Sequence, residues 1–207
     1  REEIGRETGD IYASDMGQIQ QLTVRLPEKS EADLKVLENC VALEGLDISG
    51  EMSSYRIGSD QESIIVDDYS TRAKGLDKLS DLRNLTALEI NGVNLEKFSE
   101  LGELKQLTKL KLCCISVRDI SIIANLTHLQ RLDLSGMEVS DISSLYDLVD
   151  LKSLNIDRTN IKSFPDNLCI RGISFFLRND WSKMRLQMDP ELSSQIEEFI
   201  AFDSGYR

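Results

Sequence analysis

His128, Cys40, Cys113, Cys114 and Cys169 are the side chains from which nucleophilic or metal chemistry would have to be built. A Cys–His pair works when an imidazole within hydrogen-bond reach takes the thiol proton. A zinc site needs several such ligands at short, recurring spacings. Neither pattern is present. His128 is the single histidine and precedes a Leu at a variable position, which places it on the surface. Cys113 falls at a different point of the local pattern, so the two are not expected to meet. Cys113 and Cys114 are neighbours, and strand alternation sends them to opposite faces. No Gly-rich phosphate loop and no Gly-x-Ser-x-Gly turn occurs. Asn84-Leu-Thr86 and Asn125-Leu-Thr127 have the form of glycosylation acceptors. Both belong to one recurring phrase and read as repeat consensus. The expectation is no enzyme, no metal and no cofactor.

Binding is then the chemistry to look for, and composition limits the partners. The chain has 207 residues, 41% of them hydrophobic, enough for a sizeable core in one domain. Its formal net charge of −12 opposes sequence-independent binding to nucleic acid or to an anionic membrane surface. The same charge favours approach of a basic protein partner. No apolar run reaches the length of a membrane span, so no membrane insertion is expected. Four scattered cysteines do not make a disulfide framework. Reduced thiols and a cytoplasmic location are the expectation, and the start at Arg1 shows no apolar leader.

The elements that would carry a binding surface announce themselves by period. Leu85, Leu107, Leu129 and Leu151 lie 22 positions apart. Each opens one phrase: Leu85-x-x-Leu88-x-Ile90, Leu107-x-x-Leu110-x-Leu112, Leu129-x-x-Leu132-x-Leu134 and Leu151-x-x-Leu154-x-Ile156. An interval held through successive steps, with this pattern, is the mark of a leucine-rich solenoid. The phrase ends in strand-like alternation. The apolar positions that follow, such as Val93, Leu95, Phe98, Leu101 and Leu104, suit a short 3-10 return. Stacked strands sit closer together than stacked helical returns, so the strands line the concave side. The expected fold is an α/β solenoid: a horseshoe with a parallel concave sheet, a 3-10 or short-helix convex side and a C-terminal capping helix.

The segment from Leu129 to Leu145, LQRLDLSGMEVSDISSL, resembles the 22-residue bacterial class of leucine-rich repeats typified by internalins. The resemblance is strong over residues 79–168 and weaker over 19–50. It implies a repeat module that binds other proteins. There is one departure. The ninth repeat position, commonly Asn in that class, is Val93, Ile115, Met137 and Thr159 here. No buried Asn ladder is therefore expected, and inward apolar groups replace it.

Outside the regular region the pattern loosens. Residues 1–18 read as an N-terminal flank, and 19–178 as the solenoid. Ile19-x-x-Leu22-x-Val24 and Leu43-x-x-Leu46-x-Ile48 are good strand phrases. The 42 positions from Leu43 to Leu85 are nearly two units, with Ile64-Ile65-Val66 supplying an irregular strand and about 50–75 an insertion. Ile170-x-x-Ile173-x-Phe175 reads as a last strand at a spacing of 19. Residues 179–207 form a C-terminal cap. Asp189-Pro190 starts a helix there, over about 190–202, with Leu192, Ile196, Phe199 and Ile200 on its apolar face.

Strand alternation turns three columns outward. The first is Ala87, Lys109, Arg131 and Ser153; the second Glu89, Lys111, Asp133 and Asn155; the third Asn91, Cys113, Ser135 and Asp157. Arg25, Asp47 and Ser49 extend them. Partner contact is expected on this face, through Lys109, Arg131, Glu89, Lys111, Asp133, Asn155, Asn91, Ser135 and Asp157. The other candidate surfaces are the insertion, with Tyr55 and Arg56, and the C-terminal edge, with Arg178 and Trp181 among Arg171, Phe175, Phe176, Lys183 and Arg185. The leading reading is a non-enzymatic protein-interaction module. Its alternatives are an acidic inhibitor or immunity-type protein that blocks a basic enzyme, and a sensing or targeting domain of a larger protein.

Overall fold

The computed structural model describes residues 16–50, 55–57, 64–66, 71–161 and 174–176, with the backbone alone for 55–57, 64–66 and 174–176. The strands among these are β1 (Gln21–Leu26), β2 (Glu31–Asp33), β3 (Gly45–Gly50), β4 (Tyr55–Ile57), β5 (Ile64–Val66), β6 (Arg72–Lys74), β7 (Ala87–Asn91), β8 (Asn94–Leu95), β9 (Lys109–Cys113), β10 (Arg131–Asp133), β11 (Ser153–Asn155) and β12 (Ser174–Phe176). Seven of them make one parallel sheet in the order β1-β3-β7-β9-β10-β11-β12. Five 3-10 helices return the chain along the other side: Leu34–Leu37, Leu76–Asp81, Phe98–Glu103, Ser121–Asn125 and Ser143–Asp147. Each packs on the next. The horseshoe expected from the period is the one observed.

The repeat phrase explains the core position by position. Leu85, Leu88 and Ile90, with their equivalents in the next three units, are all buried, none more than 3% exposed. They join Leu101, Leu104, Ile120, Ile123, Leu126, Ile142, Leu145 and Leu148 in one continuous cluster. Val93, Ile115 and Met137 are buried at the ninth position, while Thr159 is half-buried and donates its hydroxyl to Ile156 O at 2.8 Å. Stacking is fixed by a second recurring contact. Thr86 O accepts from both Thr108 N and Lys109 N, Thr108 O from Gln130 N and Arg131 N, and Gln130 O from Lys152 N and Ser153 N. One carbonyl per unit thus holds two donors of the next.

The corner after each strand is left-handed. Gly92, Cys114, Gly136 and Arg158, again 22 apart, have φ of 63°, 52°, 71° and 55°. Glycine adopts this region freely, whereas other residues meet their own Cβ there. Cys114 and Arg158 hold it in corners tied to the preceding one, Gly92 N donating to Cys113 O at 3.0 Å and Gly136 N to Asp157 O at 2.9 Å. The return limbs open on aspartates: Asp119 Oδ1 accepts from Ser121 N at 2.9 Å and Asp141 Oδ1 from Ser143 N at 2.8 Å. These backbone donors, and then the serine hydroxyls, hold both carboxyls below the ordinary Asp range.

Three departures from expectation have simple causes. Ile64–Val66 does not join the main sheet. It pairs antiparallel with Tyr55–Ile57 as a separate hairpin, and β3 pairs directly with β7. Leu43 to Leu85 is therefore one lengthened unit, not nearly two. β6 instead enters a second parallel sheet, in the order β2-β6-β8, where Ala32, Ala73 and Leu95 are in register. In β12 it is Phe175 that lies opposite Leu154, a spacing of 21, where the phrase had put Ile173. A two-residue slip preserves strand alternation, so apolar pattern alone does not separate the two registers. The capping helix over 190–202 lies outside the described residues.

Two stability measurements test this register. Leu110→Ala should destabilise by about 2–5 kcal/mol in urea unfolding, as for a truncated core Leu; a loss below ~0.5 kcal/mol, typical of surfaces, contradicts it. Gly136→Ala should cost about 1–2 kcal/mol, the price of Cβ in a left-handed turn.

Candidate functional site

The outward columns are assembled by strand register. Gln21, Gly45, Ala87, Lys109, Arg131 and Ser153 lie in one row, extended by β1 and β3 beyond the four regular units. Thr23, Asp47, Glu89, Lys111, Asp133 and Asn155 form the second row. Arg25, Ser49, Asn91 and Cys113 form the third, and Ser135 and Asp157 follow just after β10 and β11. The first two rows floor an open trough of about 500 Å³. Gln21 and Thr23 line it too. Sequence reading left them out, although β1's phrase stood 24 positions before β3's and marked the same alternation.

From Glu89 to Asn155 the second row is internally satisfied. Lys111 Nζ donates to Glu89 Oε1. Asn155 Nδ2 donates to Asp133 Oδ2 at 3.0 Å, and Asp133 Oδ1 accepts from Ser135 N at 2.9 Å. Asn155 Oδ1 in turn accepts from Asp157 N at 3.0 Å. Glu89 and Asp133 therefore each hold the next unit's polar group, while Asp133 and Asn155 also brace the backbone of their own units. Lys111 is pushed up in pKa by its hydrogen bond to Glu89 and keeps its charge. Asp47 behaves differently. Burial first, and then the Glu89 carboxylate directly opposite, raise its pKa against the pull of Lys111 and Arg25.

The first row contrasts with this. Lys109 and Arg131 are exposed, directly opposite each other, and paired with no carboxylate among the described residues. Their row neighbours Gly45, Ala87 and Ser153 are small. In the third row, Cys113 Sγ and Ser135 Oγ are hydrogen-bonded at 2.9 Å, and Asn91 Oδ1 is a buried oxygen without a partner.

Burial pushes the Cys113 thiol up, against the weaker opposing effect of Ser135. Burial raises the Cys114 and Cys40 thiols as well. His128 Nδ1 lies 3.7 Å from Asp150 Oδ2 on an exposed turn. Among the described residues no three His, Cys, Asp or Glu side chains are grouped to hold a metal ion, and no helix is long and apolar enough to cross a membrane. Of the other predicted contact residues, Tyr55 and Arg56 lie in β4 of the separate hairpin, away from the sheet order of the trough. Arg178 and Trp181 lie outside the described residues.

No family model and no curated protein matches this sequence. Solved structures do match. An internalin from Listeria monocytogenes superposes with a TM-score of 0.56 at 20% identity, over 82% of this chain and 45% of its own. A leucine-rich repeat protein of Leptospira interrogans gives 0.50 at 18%, over 75% of this chain and 34% of its own. A second Listeria internalin, C2, gives 0.49 at 18%, over 85% and 89%. The chain thus spans less than half the length of the first and about a third of the Leptospira protein. The likeness shows the fold, a leucine-rich repeat solenoid of the internalin kind.

The Asp47–Glu89 opposition has a measurable consequence. Because the folded chain holds the Asp47 proton more tightly than the unfolded chain, ionisation works against folding at neutral pH. Asp47→Asn should therefore raise stability at pH 7 by roughly 0.2–1 kcal/mol, the scale of a like-charge cross-strand pair. The gain should shrink as pH falls through the folded pKa and vanish below the unfolded value of about 3.9. Urea unfolding at both ends of that range reads the sign; a loss at pH 7 contradicts the charge analysis.

Proposed function

We propose that this protein is a non-enzymatic binding module that takes a protein partner on its concave strand face. The trough carries the reading: about 500 Å³, open to solvent, and floored by side chains that β1, β3, β7, β9, β10 and β11 contribute in register. An open floor of this kind suits a polypeptide surface better than the enclosed pockets that bury small ligands. Its polar groups are already oriented by one another, from Glu89–Lys111 to Asp133–Asn155–Asp157. Binding on such a floor orders few side chains, and this removes a main cost of association. The raised thiols, and His128 set beside Asp150 on an exposed turn, support a non-catalytic role.

The net charge of −12 favours a second feature, a partner that is basic overall, as an acidic inhibitor of a basic enzyme would require. The field of the whole chain then speeds encounter more than it strengthens the final contact.

The test is differential capture. The chain, an Ala87→Tyr/Ser153→Tyr variant that fills the trough, and a Val36→Arg variant on the opposite side are each exposed to the same native extract. Val36 is 66% exposed on the first 3-10 helix. A protein held by the unaltered chain and by Val36→Arg, but lost from the tyrosine variant, is the expected result. Equal retention by all three removes the concave face as the binding site.

A further inference from the structure

Among the three cations on the trough floor, Lys109, Lys111 and Arg131, only Lys109 and Arg131 have no carboxylate partner among the described residues. They are register partners on adjacent parallel strands, which places them about 4.8 Å apart along the hydrogen-bonding direction. Like charges set directly opposite are unfavourable. Both are exposed, and neither pairs with a carboxylate among the described residues. In the neighbouring row Lys111 is answered by Glu89, and Asp133 by Asn155 and the Ser135 amide, while Asp47 stays opposed to Glu89. Their backbones are pinned, with Lys109 N bonded to Thr86 O and Arg131 N to Thr108 O, both at 3.0 Å. The residues that flank the two cations in the row, Ala87 and Ser153, are small. In a chain with 36 acidic and 24 basic residues, two adjacent unanswered cations at the centre of a trough form a local reversal of sign.

We infer that Lys109 and Arg131 together clamp a single carboxylate, an Asp or Glu side chain on a polypeptide segment of the partner, at the centre of the concave face. The inference rests on the proposed binding face and specifies its chemistry. A guanidinium fork and an ammonium at strand spacing can both reach the oxygens of one carboxylate. A nucleic acid does not fit, because a polyanion needs many cations and would meet Asp47, Glu89 and Asp133 in the neighbouring row. The residues flanking the partner's acid would face that acidic row and so be basic or neutral. A basic partner with one acid held here satisfies both the field of the whole chain and the clamp.

The probe is a displayed library of random linear dodecapeptides, selected against the full chain. Selected peptides should share an enriched Asp or Glu. They should weaken by about tenfold or more on Lys109→Ala/Arg131→Ala, the scale for losing a charge-assisted contact. A Lys109→Glu/Arg131→Glu variant should prefer the same peptides with that acid changed to Lys. The melting temperature of the alanine variant should not fall, since the like-charge opposition is relieved. Peptides without acidic enrichment, or bound equally after the alanine changes, overturn the clamp. Peptides that survive the alanine changes but are lost on Ala87→Tyr/Ser153→Tyr overturn the clamp and leave the concave binding face standing. Peptides indifferent to both variants, or a library that yields no binder, overturn both.

Discussion

A single 22-residue unit of this chain has more inward leucine than it can cover, and the rest of the structure follows from that shortage. Leu107, Leu110 and Leu112 are buried because the units before and after supply the missing walls. Covering them requires neighbours in exact register, so strands must run parallel and returns must be short. The doubly accepting carbonyls of Glu44, Thr86, Thr108 and Gln130 enforce that register in the backbone. Apolar shortage and backbone pairing thus agree on one stacking, the consistency that lets a repeat sequence specify one fold.

Stacking leaves the outward strand positions free of packing duty, and this is where function can vary. A residue in the inward set is judged by volume, as Leu88, Leu110 and Leu132 are. A residue in the outward set is judged only by its lateral neighbours one strand away. Glu89 and Lys111, or Asp133 and Asn155, are such lateral choices. They cost the fold little and hold the floor still.

What was legible in the sequence follows the same division. The period made the core, the 3-10 returns and the three outward columns readable, because each depends on spacing alone. Spacing failed where the chain departs from one unit per strand. The hairpin β4–β5 looked like a missing repeat because Ile64–Val66 has strand composition; composition does not say which sheet a strand joins. Phe175 and Ile173 share parity, so the last register stayed ambiguous by two. The second sheet went unseen because Ala32 and Ala73 lie in strands of only three residues. The left-handed corner was hidden by residue type: Gly92 and Gly136 signal it, whereas Cys114 and Arg158 conceal it.

Charge acts on this protein at two ranges, and the two need not share a sign. During approach, over about a Debye length of 8–10 Å at ordinary salt, a partner feels mostly the averaged acidity of the chain. At contact it sees individual side chains. Glu89, Lys111 and Asp133 on the floor are already matched within the molecule and offer little net attraction. Lys109 and Arg131 are the floor's unmatched cations, adjacent and held on rigid strands. A surface built this way separates the two tasks of recognition. The overall field selects what approaches, and one unsatisfied pair decides how it must be placed.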